Sequence, residues 1–193
     1  MSTPSEEIAD QPDPRPLAAS RITHHGMVWD IARDTIDFAP GVQFDREYVR
    51  HTGAVAVLAI DDQDRALLIR QYRHPARSAL WEIPAGLLDI DGEDPADAAA
   101  RELREETGYT AEHLEPLLQL RPSPGGSDEL IRIYRARDVT RAPYEEFEPS
   151  DEEAELLVRW VPVSDVADGV LSGRLTSGTL VTAILAHLAS RSR

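Results

Sequence analysis

The segment EDPADAAARELREETGY, residues 93–109, places Glu102, Glu105 and Glu106 on what reads as a short helix. At about 100° per residue the three carboxylates share one sector roughly 100° wide. Like charges at i,i+4 cost a helix about 0.2–0.5 kcal/mol, so the arrangement calls for a reason. Arg101 and Arg104 stand one residue off the acidic stripe, a spacing that relieves it only at its edges. A solvated acidic face is one reading, and for an isolated ExxEE it is the commoner one. The other is a site for hard divalent cations. Mg²⁺ prefers carboxylate oxygen and water, and is often shared between protein carboxylates and a substrate phosphate. Carboxylates held by a helix can hold two such ions side by side, a geometry suited to phosphoryl displacement.

The helix has local signals at both ends. Asp94 suits an N-cap, Pro95 the first helical position, and Gly108 the left-handed position beyond the last turn. Before it, GAVAVLAI (53–60) reads as a buried strand and ALLIRQYR (66–73), after the turn DDQDR, as its pairing partner. LWEIPAG (80–86) reads as one short strand running into a glycine loop. Further strands are expected near 114–121, 129–136 and 155–161. Helices are expected near 164–171 and 178–189, the latter with Leu180, Ile184, Leu185 and Leu188 on one face. This mixed order favours an α/β fold layered as an α/β/α sandwich over a barrel or bundle. Residues 1–19, acidic and Pro-rich, are expected to form a disordered tail. Residues 20–50, with a turn at Pro40–Gly41, are expected to form a small antiparallel sheet, leaving 51–193 as the main domain.

A chain of 193 residues suits one domain with a small appendage. Its 41% hydrophobic and 28% charged residues are ordinary for a soluble protein; its formal charge of −15 is not. That charge argues against nucleic-acid binding, which requires phosphate neutralisation by Lys and Arg. The chain has no Cys, which excludes disulfides and thiolate metal sites. MSTPSEEIADQPDPRP lacks the features of a signal peptide, and runs such as AVAVLAI are too short to span a membrane. The expectation is a cytoplasmic protein with no membrane partner.

Gly86, Glu93, Arg101, Glu102, Leu103, Glu105, Glu106, Gly108 and Tyr109 together resemble the Nudix box. That pattern runs Gly, five residues, Glu, seven residues, then R-E-aliphatic-x-E-E-x-G-aliphatic. RELREETGY matches its second half apart from the aromatic Tyr109, while GLLDIDGE places six residues between Gly86 and Glu93. The extra residue falls in the loop before the helix, where it can be absorbed without moving Glu102 or Glu106. The resemblance implies a Nudix-type sandwich with a mixed sheet. It implies Glu102 and Glu106 as principal metal ligands, Glu105 close behind, and a backbone carbonyl at Ala85 reaching a metal. The implied cofactor is Mg²⁺ or Mn²⁺, two or more ions per site. Glu93 is the implied partner of Arg101, which would orient the carboxylates.

SPGGSDE (123–129), with Pro124, resembles a stretch typical of the ADP-ribose pyrophosphatase branch; alone, Pro-Gly-Gly would be an ordinary turn. RQYRHP (70–75) and LWEIPAG are also typical of that branch, so the resemblance covers about residues 50–162 well and the N-terminal part loosely. It implies hydrolysis of ADP-ribose to AMP and ribose 5-phosphate, with Gly126, Ser127, Asp128 and Glu129 as candidate substrate contacts. Arg73 has a planar donor fork for a phosphate or the terminal ribose. Glu82 could accept from ribose hydroxyls or adenine N6, and Trp29 could stack on adenine or sit in a core. The branch supplies a loop Glu as base before the last core strand, which Glu153 fits best and Glu152 next. It also forms homodimers with exchanged N-terminal strands, in which Trp29 and Arg46 would act across the interface. The alternatives are a hydrolase of other nucleoside diphosphate sugars, or a sensing module without catalysis. A sensor would be expected to lose box glutamates, and all are present. His51 and His74, with no second His at ligand spacing, read as ordinary surface or core residues.

Overall fold

A computed structural model describes residues 8–143 and 156–191, and the chain divides into two units at Arg50 and His51. In the first, β1 (Leu17–His25), β2 (Asp30–Ala39) and β3 (Val42–Arg50) form a three-stranded antiparallel sheet in that order. The β2–β3 turn falls on Pro40 and Gly41, whose φ of 76° favours glycine. Residues 17–19, expected to belong to a tail, are strand here. They pair with β2 because its edge has a full row of backbone groups to satisfy.

In the second unit β4 (Ala54–Ala59) is buried at every position, as a continuous apolar run requires. It is central to a mixed sheet ordered β7-β4-β9-β8, comprising β7 (Ala85–Leu87), β8 (Tyr109–Leu120) and β9 (Ile131–Arg141), with β4 parallel to β9. A second sheet is ordered β10-β5-β6, from β5 (Arg65–Arg73), β6 (Ser78–Glu82) and β10 (Leu157–Pro162). Three α-helices and a 3₁₀ turn at His74–Ala76 complete the described residues: α1 (Pro95–Thr107), α2 (Val163–Leu171) and α3 (Gly178–Arg191).

Alternating β4 side chains supply two cores. Ala54, Ala56 and Leu58 pack with Val163 and Val166 of α2 and Leu180, Ala183 and Ile184 of α3. Val55, Val57 and Ala59 pack with Ala98, Ala99 and Leu103 of α1. Helices therefore cover both faces, and the expected α/β/α sandwich is the observed architecture.

Three local expectations are corrected. β4 and β5 are not hairpin partners and share only the bridge Ile60–Ala66. Both edges of β4 are taken by β7 and β9, and Asp64, at φ 56°, turns the chain into the second sheet. LWEIPAG is two strands in different sheets, because Pro84 has no N–H to continue a ladder. Glu82 ends β6 opposite Ile69, and Ala85 opens β7 opposite Ala56. The buried face of α3 is Leu180, Ala183, Ile184 and His187, whereas Leu185 is exposed.

Candidate active site

The acidic helix is held by its ends and its apolar face. Asp94 accepts a hydrogen bond from the Ala96 N–H at 2.8 Å, Pro95 opens the helix, and the Gly108 N–H donates to Arg104 O with Gly108 at φ 71°. Ala98, Ala99 and Leu103 are wholly buried against the sheet. That anchorage turns Glu102 and Glu106 toward β7. Glu106 Oε2 accepts from the Ala85 N–H at 2.9 Å. The Glu102 carboxylate occupies the space that a side chain on residue 86 would need, since a Cβ there would lie 2.0 Å from its Cδ. The need for Gly86 is thus steric, and the extra loop residue before Glu93 leaves it in place.

Arg101 does more than the spacing suggested. Its Nε and Nη2 form a fork on both oxygens of Glu93, each at 3.0 Å. Its Nη1 donates to Glu102 Oε1 at 2.7 Å and to Glu105 Oε2 at 2.9 Å. Side-chain length brings the guanidinium over the stripe rather than to its edge, and these bonds, led by that to Glu93, raise the already high pKa of Arg101. Burial raises the Glu102 carboxyl, opposed by Arg101. Burial also pushes Glu106 up to about 8, against the Ala85 N–H and with Glu102 adding to the rise.

Among the described residues no three carboxylate or imidazole groups converge on one point as a formed metal shell. The donor set nevertheless fits a hard divalent cation. Glu102, Glu105 and Glu106 offer only oxygen, burial raises the carboxyls of the half-buried Glu102 and Glu106, and the absence of a side chain at Gly86 lets the Glu102 carboxylate lie against β7.

The second sheet brings Arg73 near this end of α1, close enough for its charge to be felt at Glu106. Glu82, expected to accept from ribose hydroxyls or adenine N6, is buried and accepts from Arg73 and Gln71. Gln71 was missed in the sequence. Its signal is its position two residues before Arg73, on the same strand face. In the 123–129 loop the N–H groups of Gly126 and Ser127 both donate to Ser123 O. Ser127 Oγ accepts from the Glu129 N–H at 3.1 Å, and Asp128 Oδ1 from the His51 N–H at 2.8 Å. His51 is a joint between this loop and β4: its Nδ1 accepts from the Gly53 N–H, and its Nε2 lies 3.6 Å from Glu129. Trp29 and Arg46 belong to the first unit. The Trp29 residue is 47% exposed rather than in a core, and Arg46 lies over the Phe44 ring at 4.3 Å. Glu152 and Glu153 lie outside the described residues.

A model of the NUDIX domain matches residues 50–177. The ADP-ribose pyrophosphatase of Mycobacterium tuberculosis is 40% identical over 171 residues, covering 87% of this chain and 80% of that one. The ADP-ribose pyrophosphatase of Bacillus subtilis is 40% identical over 115 residues, 60% of this chain and 62% of that one. A solved structure described as an ADP compounds hydrolase shares the fold, with a TM-score of 0.75 at 24% identity over 94% of this chain and 96% of that one. The chain belongs to the Nudix family and is a Nudix pyrophosphohydrolase. Among the described residues no helix is long and apolar enough to cross a membrane.

Proposed function

We propose that the protein hydrolyses ADP-ribose to AMP and ribose 5-phosphate. The observation that carries this reading is the juxtaposition of half-buried Glu102, against Gly86, and Glu106, on the Ala85 N–H, with Arg73 from the neighbouring sheet. The names of the relatives at 40% identity support the choice of substrate.

Glu102, Glu105 and Glu106, with the carbonyl of Ala85, would hold Mg²⁺ or Mn²⁺, two or more ions per site. Such ions supply charge neutralisation at a diphosphate and a water of lowered pKa. Arg101 keeps the helix carboxylates in place through Glu93. Arg73 meets a phosphate oxygen with its donor fork. Glu153, or failing it Glu152, takes a proton from water as the water oxygen attacks phosphorus. The bond from that phosphorus to the bridging oxygen breaks, and the bridging oxygen leaves with the other phosphate. Residues 123–129 border the substrate, with Gly126, Ser127, Asp128 and Glu129 its nearest groups. Residues 51–193 form the catalytic domain and 20–50 a subdomain that pairs two copies of the chain, bringing Trp29 and Arg46 to the shared site. That pairing would cover the exposed Val28, Trp29 and Phe38 of a unit whose one fully buried apolar residue, among those described, is Ala32. The protein acts in the cytoplasm.

The test is a panel of ADP-ribose, ADP-glucose, GDP-sugars, diadenosine polyphosphates and NADH, each with Mg²⁺ or Mn²⁺. ADP-ribose is expected to give AMP with the highest kcat/KM. Intact ADP-ribose beside a cleaved nucleotide sugar refutes the substrate assignment.

A further inference from the structure

Glu82 ends β6 with only 9% of the residue exposed. A buried carboxylate is costly unless it is both ion-paired and hydrogen-bonded. The β5–β6 register supplies the partners: Glu82 stands opposite Ile69, and Gln71 and Arg73 follow on the same face of β5. Arg73 donates from Nε to Glu82 Oε1 at 3.2 Å and from Nη2 to Oε2 at 2.8 Å. Gln71 Nε2 adds a bond to Oε2 at 3.2 Å. Both carboxylate oxygens are thus engaged by the protein's own donors. The Arg73 side chain is 45% exposed and that of Glu82 only 11%, so the guanidinium lies on the outer side of the pair.

We propose that Glu82 is a positioning residue, holding Arg73 so that its guanidinium meets the substrate's diphosphate, and that it does not itself contact the nucleoside. This rests on the diphosphate-hydrolase reading above. A guanidinium on a flexible stem loses entropy whenever it is fixed. The fork on Glu82 holds it in place before substrate arrives, and Gln71 steadies the carboxylate from the other side. Glu82 therefore acts on the reaction only through Arg73.

A double-mutant cycle on the full chain decides the point. Arg73→Met is expected to lower kcat/KM by about 10–100-fold, the worth of hydrogen bonds to a charged group. Glu82→Gln should raise KM about tenfold with less change in kcat, the pattern of weakened binding. Arg73→Met/Glu82→Gln should then match Arg73→Met within about twofold, because Glu82 has lost the group it acts through. A further tenfold loss in the double variant overturns the proposal, since Glu82 would then contact substrate directly. The double variant leaves neither charge unpaired, so this comparison remains decisive if Glu82→Gln alone fails to fold. If the wild-type protein cleaves another nucleotide sugar instead of ADP-ribose, only the substrate assignment fails. The same cycle on that sugar still decides the role of Glu82.

Discussion

Replacing Gly86 with Ala isolates the geometry of the carboxylate site. The φ of Gly86 lies outside the left-handed region, so the backbone accepts alanine without strain. The new Cβ would meet Glu102 Cδ at 2.0 Å and its two oxygens at 2.1 and 2.4 Å. Carbon atoms rest at about 3.5–4.0 Å, so the carboxylate must withdraw by about 1.5 Å. The colliding atoms end a side chain with three torsions, which places the folding cost near the low end of overpacking, about 1 kcal/mol. For a chain of this size that lowers Tm by about 2–4 °C. Catalysis should suffer far more, because displacement of a site group by about 1 Å can cost about 100-fold. The assay pairs thermal melts with kcat/KM measured across a Mg²⁺ titration. Gly178→Ala, where added atoms meet open space, serves as the control. A Gly86→Ala protein with kcat/KM within about threefold of wild type would refute the steric argument. So would a loss of activity no larger than its loss of folded protein explains.

Three further outcomes follow from the same chemistry. Glu106, pushed up to about 8 by burial, favours folding below its unfolded value near 4.5, and that contribution is lost as pH rises through 8. In EDTA at pH 8, Glu106→Gln should therefore be more stable than wild type, by roughly 4 kcal/mol, with the two converging near pH 4.5, and it should stay inactive when Mg²⁺ is restored. A lower Tm for the variant at pH 8 contradicts this. His187 is buried with neither ring nitrogen hydrogen-bonded among the described residues; burial, then Arg135, Arg191 and Arg137, against Asp64, lower its pKa. Its stability contribution is present above its unfolded value of 6.5 and lost as pH falls through the lowered one. His187→Leu should flatten the decline in Tm between pH 7 and 5, and an unchanged slope counts against it. Glu153→Gln should reduce kcat by about 100–10,000-fold with melting unchanged. Near-normal turnover moves the base to Glu152, which the same substitution then tests.

The sequence by itself determined the features that arise within a few residues of one another. Asp94, Pro95 and Gly108 bound α1 because capping is satisfied by adjacent backbone groups, and the run 54–59 is buried on both faces because no polar residue interrupts it. Spacing marked Glu102, Glu105 and Glu106 as one acidic stripe, and the resemblance that they share with Gly86, Glu93, Arg101 and Gly108 linked it to the Nudix box. Contacts between distant segments were decided only by the tertiary structure. β4 rejected its neighbour β5 because β7 and β9 filled both its edges, a competition that local pattern does not contain. Pro84 sent Glu82 and Ala85 into different sheets, and cross-strand register then joined Glu82 to Gln71 and Arg73. The buried face of α3 admitted His187 and left Leu185 outside because burial depends on what packs opposite, not on hydrophobicity alone. In a linear reading Gly86 stood in the Nudix box without a steric reason; it acquired one when folding brought Glu102, sixteen positions later, into the space its side chain would have filled.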